Sequence, residues 1–451
     1  MSWVILCESS DLAEQCLAVA GSLELAVDVQ SAPDLRAAAL RSLSAGQKTA
    51  VVFVREPSIA ELVELSHAAR APATAQTVVI ALPAWSEQQR ILLEVAGELG
   101  LCAVVELRPL CAALALLDSG GRDAGAMDVA KLGPAEHARL RGVVAPPKRA
   151  GAELIAIDAQ RLARVAGVGA QPIIVGETPA VRDALAALRR MEWMQTEVES
   201  SVEVDERAVL EVIFGPRRAL SDPASKTALA PYGIPLPIEE LCSSASRAAA
   251  EASRIGYPVR ISLASPDLRV WDHPDLRVDM VDNAARVRDT FRQLFALAQA
   301  RLAADPAFTG QIERRLLGVL VTATSESLAL LRVYATPLPL DRVAMRVGFA
   351  DPHGRAAQDE TITVLPAEAA VIERALRRLA GAALLFEARD ADGLSGVDQV
   401  VDVLQRIAAF VNDRRQQVES VELRPLAMLA DGSVEVREAC VVVSDWFEKN
   451  S

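Results

Sequence analysis

Four histidines, six cysteines and one run of aspartates are the side chains with the widest chemistry in this 451-residue chain. Their spacing narrows what they can do. Cys7, Cys16, Cys102, Cys111, Cys242 and Cys440 show neither the CxxC nor the Cys/His spacing of a zinc site. Most sit in apolar settings such as Leu101-Cys102-Ala103, so buried free thiols are expected. His67 falls in a helical pattern that ends at Arg70-Ala71-Pro72 and reads as a helix-surface residue, while His137 and His273 stand in charged stretches without a partner. Asp390, Asp392, Asp398 and Asp402 lie where a Gly-rich loop leads into a helix, and their carboxylates complement the helix dipole there. They do not complete a calcium loop. The sequence contains no Gly-x-Ser-x-Gly elbow, no Walker lysine loop and no Gly-x-Gly-x-x-Gly fingerprint. Trp3, Trp85, Trp193, Trp271 and Trp446 are dispersed and read as packing residues rather than a stacking platform.

The elements that would carry these residues follow from composition and periodicity. Hydrophobic residues make up 51% and charged residues 24%, enough to build real cores, and the length predicts two or three domains. A formal charge of −13 argues against a nucleic acid or an anionic membrane as the main partner. Of the 47 basic residues only five are lysines (Lys48, Lys131, Lys148, Lys226, Lys449), which leaves 42 arginines. The start, MSWVILCESSD, has no basic stretch, its apolar run ends at Glu8, and no window reaches the roughly 18 apolar residues of a span; a cytoplasmic protein is expected.

Residues 1–118 alternate short apolar runs with amphipathic stretches, the pattern of βαβ units around a parallel sheet. The predicted organisation is a flavodoxin-like domain over 1–145, a linker or small α/β segment over 146–218, and an α+β domain over 219–451. Within the middle segment, strands are predicted at 153–157 and 172–176 and helices at 158–166 and 178–191.

The last region carries a family likeness. APYGIPLP at 230–237, SRIGYPVRISLASPDL at 253–268, LLGVLV at 316–321 and VESVELRPLAMLADGSVEV at 418–436 together resemble the ATP-grasp domain of the NDP-forming acyl-CoA synthetases, relatives of the succinyl-CoA synthetase β subunit. The run GELGLCAVVELRPLCAALALL at 97–117 is similar, more loosely, to the flavodoxin-like domains fused to that ATP-grasp domain. The resemblance implies a fold of two α+β lobes that grips ATP between them, phosphate passed through a histidine, and an acid activated for coenzyme A. No Gly-rich CoA-binding domain is recognisable, so a partial synthetase at most is implied.

The same resemblance assigns the site, and this sequence departs from it at nearly every ligand contact. The phosphate lysine of the family matches Ser262, with Arg260 two residues away on the same strand face. Ser265-Pro266-Asp267 is kept, but the basic and double-glycine stretch after it is replaced by Leu268-Arg269-Val270-Trp271-Asp272-His273. The family's glycine run is replaced by Gly348-Phe349-Ala350-Asp351-Pro352-His353-Gly354, which leaves His353 as the candidate in a ligand-facing loop. The metal-binding Asn matches Arg424, and the metal-binding Asp matches Arg437 or, one residue on, Glu438; Glu422 lies close by. A guanidinium about 4 Å from Mg²⁺ would be repelled by on the order of 8 kcal/mol in a partly buried cleft. The reading is therefore a pseudoenzyme with a vestigial nucleotide cleft at Arg260, His353, Arg424 and Arg437, with no catalytic residue and no cofactor or metal. It would act as a binding, scaffold or regulatory subunit, in a homo-oligomer or with a protein partner, and with room for a small acyl or nucleotide ligand. The alternative is a working acid–CoA ligase or nucleotide-binding subunit in which arginines hold phosphate and Glu422 and Glu438 hold Mg²⁺ with ATP.

Overall fold

The computed structural model describes residues 3–22, 25, 27–70, 78–82, 87–118, 126–127, 174–175, 184, 187, 204–305, 308, 311–351, 356–389, 393 and 395–445. Contacts divide the chain into two compact units, Met1–Thr196 and Glu197–Ser451. The predicted boundary at 145, His137, His353, Asp390, Asp392, Trp85, Trp193 and Trp446 lie outside the described residues, as does the predicted middle segment apart from Ile174–Val175 and positions 184 and 187.

In the first unit, β1 (Trp3–Cys7), β2 (Val27–Ser31), β3 (Thr49–Val52), β4 (Val79–Leu82) and β5 (Cys102–Val105) form a parallel sheet in the order β2-β1-β3-β4-β5. This is the flavodoxin-like order expected from the sequence. Strands β1, β3, β4 and β5 are buried along their whole length, as apolar runs covered on both faces must be. The helices alternate with them: α1 (Ser10–Ser22), α2 (Leu35–Ser44), α3 (Ile59–Ala69), α4 (Glu87–Glu98) and α5 (Leu107–Asp118). Helix α3 starts at a capping box made by Ser58 and Glu61. His67 is exposed on its last turn, as the periodicity predicts.

The second unit opens with α6 (Glu206–Ile213), β8 (Arg218–Ala219, after the two-residue strands β6, Ala126–Met127, and β7, Ile174–Val175) and α7 (Asp222–Leu229). Val209 and Ile213 of α6 belong to the core of this unit. Two antiparallel sheets follow. The smaller takes β9 (Glu239–Cys242), β10 (Val259–Ala264), β11 (Arg277–Val281) and β12 (Gly318–Ala323) in the order β11-β10-β12-β9. One face of it packs on α8 (Ala245–Ile255) and α9 (Ala284–Ala304) through Ala248, Ala252, Val287 and Phe291. A short helix α10 (Ile312–Arg315) leads into β12.

The larger sheet runs β15-β14-β13-β16-β18-β8, with β17 paired to β16. Its strands are β13 (Ser327–Leu338), β14 (Arg342–Ala350), β15 (Ala356–Leu365), β16 (Val418–Leu429), β17 (Val434–Val436) and β18 (Ala439–Val443). Strand β13 alternates buried and half-buried residues, the mark of a sheet with one face on the core. That core is filled by α11 (Ala369–Leu376), α12 (Ala382–Glu387) and α13 (Gly396–Asp413). Helix α13 begins at a capping box of Ser395 and Asp398, and Asp402 pairs with Arg406 one turn on, which are structural tasks for two of the four clustered aspartates.

Candidate functional site

The two sheets of the second unit meet along a cleft whose walls include Asp222, Ser262, Ser265, Arg269, Trp271 and Glu438. The positions matched to the family's lysine and metal ligand thus share one depression with the departing loop. Strand β10 brings Ser262 there, paired with Leu320 of β12 on one side and Arg277 of β11 on the other. Ser265 turns the chain after β10 by accepting the N–H groups of Asp267 and Leu268, and Asp267 is tied to Arg315. The turn directs Leu268, Val270 and Trp271 inward, and Trp271 is 7% exposed. The guanidinium carbons of Arg269 and Arg424 lie 5.4 and 5.5 Å from the centre of the indole ring.

Arginines and carboxylates pair with one another around Glu438 and on the neighbouring strands. Arg260 Nε donates to Asp279 Oδ1 at 2.7 Å, and Arg277 Nε lies 3.3 Å from Asp279 Oδ2. Burial alone would raise the Asp279 carboxyl, but Arg260 and Arg277 outweigh it and hold it below the usual range. Arg277 Nη1 reaches Glu438 Oε1 at 3.2 Å. Burial pushes the Glu438 carboxyl up to about 7, with Asp222 adding to the rise and Arg277 opposing it. Arg437 donates from Nε to Glu435 Oε1 at 3.0 Å and from Nη2 to the Ser325 carbonyl at 2.7 Å. Burial, with the facing charge of Arg260, lowers the Arg437 pKa. Arg424 Nε donates to Glu422 Oε1 at 2.5 Å, and Arg332 Nη2 lies 2.9 Å from the same oxygen.

The backbone explains why these residues converge. Arg424 N–H donates to the Glu438 carbonyl and Arg437 N–H to that of Pro425, so β16 holds the 437–438 turn against itself. Of the positions expected from the sequence, the structure therefore brings together Arg260, Arg424, Arg437, Glu422 and Glu438; His353 is outside the described residues. Among the described residues, no group of three or more His, Cys, Asp and Glu is arranged to hold a metal ion.

Sequence reasoning missed a buried cation next to Asp222 of the cleft lining. Lys226 on α7 is 2% exposed and donates to Glu239 Oε2 at 2.8 Å and to the Arg437 carbonyl at 2.7 Å, with Asp222 Oδ2 at 3.0 Å. Burial works against its ammonium, but Asp222 and Glu239 outweigh that and raise its pKa. Asp222 and Lys226 stand four apart on a helical stretch, a signal that was in the sequence. Glu239, Arg277 and Asp279 lie on β9 and β11, two short edge strands without a strong pattern.

A model of the ATP-grasp domain matches residues 211–443, which holds both sheets and the whole cleft. The chain belongs to the ATP-grasp family. Within this family it is similar to the β subunit of the ADP-forming acetate–CoA ligase II of Pyrococcus furiosus, 21% identical over 239 residues, 52% of this chain and 94% of that one. Among solved structures it resembles a protein of Pyrococcus horikoshii at 20% identity and a TM-score of 0.45, over 53% of this chain and 99% of that one. It also resembles the dinucleotide-forming acetyl-coenzyme A synthetase 1 of Ca. Korarchaeum cryptofilum, at 18% identity and a TM-score of 0.42, over 50% of this chain and 93% of that one. Among the described residues, no helix of this ATP-grasp protein is long and apolar enough to cross a membrane.

Proposed function

We propose that this ATP-grasp chain does not carry out ATP–Mg²⁺ chemistry and acts by binding a protein partner, as a scaffold or regulatory subunit. The observation that carries the reading is the position matched to the metal-binding Asp. Arg437 stands there, and its guanidinium is already engaged by Glu435 and Ser325. The groups around it do not fit a magnesium triphosphate. Glu438 is turned to Arg277, Glu422 is shared by Arg424 and Arg332, and the lysine position is a serine. Trp271 and its loop occupy the wall where the family's glycines would let a phosphate approach. The relative from P. furiosus is named as one subunit of a ligase, which supports a role in an assembly with another chain.

The competing reading keeps ligase activity, with arginines gripping the phosphates. It draws on Arg260 and Arg437, which lie close enough that the charge of Arg260 helps to lower the Arg437 pKa. Isothermal titration of the purified chain with ATP, with and without Mg²⁺, separates the two. No heat in either arm is expected. A micromolar, Mg²⁺-dependent heat overturns the proposal in favour of the ligase.

A further inference from the structure

We infer that the cleft of this chain is a locked joint: buried side-chain ties hold its two sheets in one fixed arrangement, so the lobes do not open and close. The first tie is Lys226. Helix α7 is fastened to the larger sheet by Asp222 Oδ1, which accepts Ala439 N–H at 2.7 Å, and by Ser225 Oγ, which accepts Val441 N–H at 3.0 Å. From that base the ammonium reaches Glu239 of β9 in the smaller sheet, and its three hydrogens are matched by the oxygens of Glu239, Asp222 and Arg437. The second tie is Arg277 of β11 to Glu438, both buried.

The placement of the ties decides their effect. Strands β9 and β11 are the two opposite edges of the smaller sheet. One tie alone would be a pivot; two, at opposite edges, oppose rotation about either. Both also end on the same turn of the larger sheet, at Arg437 and Glu438. Of the two connectors between the sheets, the one from β12 to β13 is itself pinned. Ser325 Oγ donates to Glu435 Oε1 at 2.5 Å, Arg437 donates to the Ser325 carbonyl, and Ala430 N–H donates to that of Glu326. A hinge needs a few backbone residues free to change their torsions, and these residues are fixed by side chains at their centre. Burial makes the ties costly to open, since each opening leaves a charge without its partner in a poorly hydrated place.

The test reads motion instead of nucleotide, so it succeeds or fails independently of the reading above. Amide hydrogen exchange by mass spectrometry is measured on the full chain, for the wild type and for Glu239→Gln, Glu438→Gln and the double variant, each conservative in shape. In the wild type, the amides of Val436, Arg437 and Ala439, which donate to the Pro235 and Pro425 carbonyls and to Asp222 Oδ1, should exchange as slowly as those of β13 and β14. Each single variant should speed them at least tenfold, and the double variant by more than the product, while β1, β3 and β4 stay unchanged. Wild-type amides of Val436, Arg437 and Ala439 exchanging at the unprotected rate would overturn the inference, even if the variants failed to fold. So would a folded double variant that exchanges there like the wild type.

Discussion

Replacing Lys226 by methionine keeps most of the side-chain stem and removes the three donors that meet Glu239, Asp222 and the Arg437 carbonyl. Glu239 would be left buried with only the Thr322 hydroxyl 3.4 Å away. Breaking a buried pair by removing one partner costs about 3–5 kcal/mol, because the remaining charge is uncompensated. For a unit of this size, at about 2–4 °C per kcal/mol, the melting temperature of the Glu197–Ser451 unit should fall by roughly 6–20 °C. The loss has a pH sign. Burial already raises the Glu239 carboxyl against the pull of Lys226, and without the ammonium its folded pKa rises further. A carboxyl raised on folding contributes stability at low pH that is lost as pH rises through the folded value, so Lys226→Met should cost more at about pH 8 than at about pH 5. Urea unfolding at both pH values measures this. Lys226→Met/Glu239→Leu, which replaces both partners with apolar groups, should recover most of the loss. A single-variant cost below about 1 kcal/mol, or a double variant as unstable as the sum of its singles, would refute the argument that this pair is a buried structural tie.

The Glu438 carboxyl, raised from 4.5 to about 7 by burial, contributes stability that is full below about pH 4.5 and lost as pH approaches 7, on the order of 3 kcal/mol; Glu438→Gln should flatten that part of the wild-type urea profile. Gly318→Ala should destabilise the second unit by roughly 2–4 kcal/mol in urea, because φ is +151° and a Cβ would lie 2.4 Å from the Cys242 carbonyl oxygen across the β9–β12 pairing. All six cysteines are buried and burial pushes Cys111 up to about 12 and Cys242 up to about 11, so a thiol reagent at about pH 8 should label none in the native protein and all six after unfolding.

The fold was legible where periodicity was strong. The parallel first unit follows from fully apolar runs at Trp3–Leu6 and Thr77–Leu82, and the closing strands from the alternation of 418–429 and 433–443, which the structure realises as β16, β17 and β18. What escaped was short or charged. Helix α9 over Ala284–Ala304 carries polar residues on most of its surface and was not expected, and β9 and β11 offer only four and five residues each. The site was half legible for the same reason. Motif spacing located Arg260, Glu422, Arg424, Arg437 and Glu438, but the partners of these residues sit on the edge strands and on α7, where only three-dimensional proximity reveals them.

The motifs that carry the family likeness do mechanical work, and this bears on what a likeness can imply. Tyr232 of YGIP is fully buried, packs edge-on against Phe410 at 5.2 Å and donates its hydroxyl to Asp413. Gly233 takes a left-handed φ of +70° with the Arg406 guanidinium against it, a place where a Cβ would lie 2.3 Å from Arg406 Nη1. Val259 of GYPV pairs with both β11 and β12, and the Pro425 carbonyl of RPL receives the N–H of Arg437. All of these contacts pack or pair parts of the scaffold with one another. Selection for the scaffold alone is enough to retain them, and the residues free to change are the ones that would touch a nucleotide. On the proposal that this chain does not use a nucleotide, its paired arginines put internal contacts where binding contacts would be, and the double-edged tie through Lys226 and Arg277 is where that exchange can be measured.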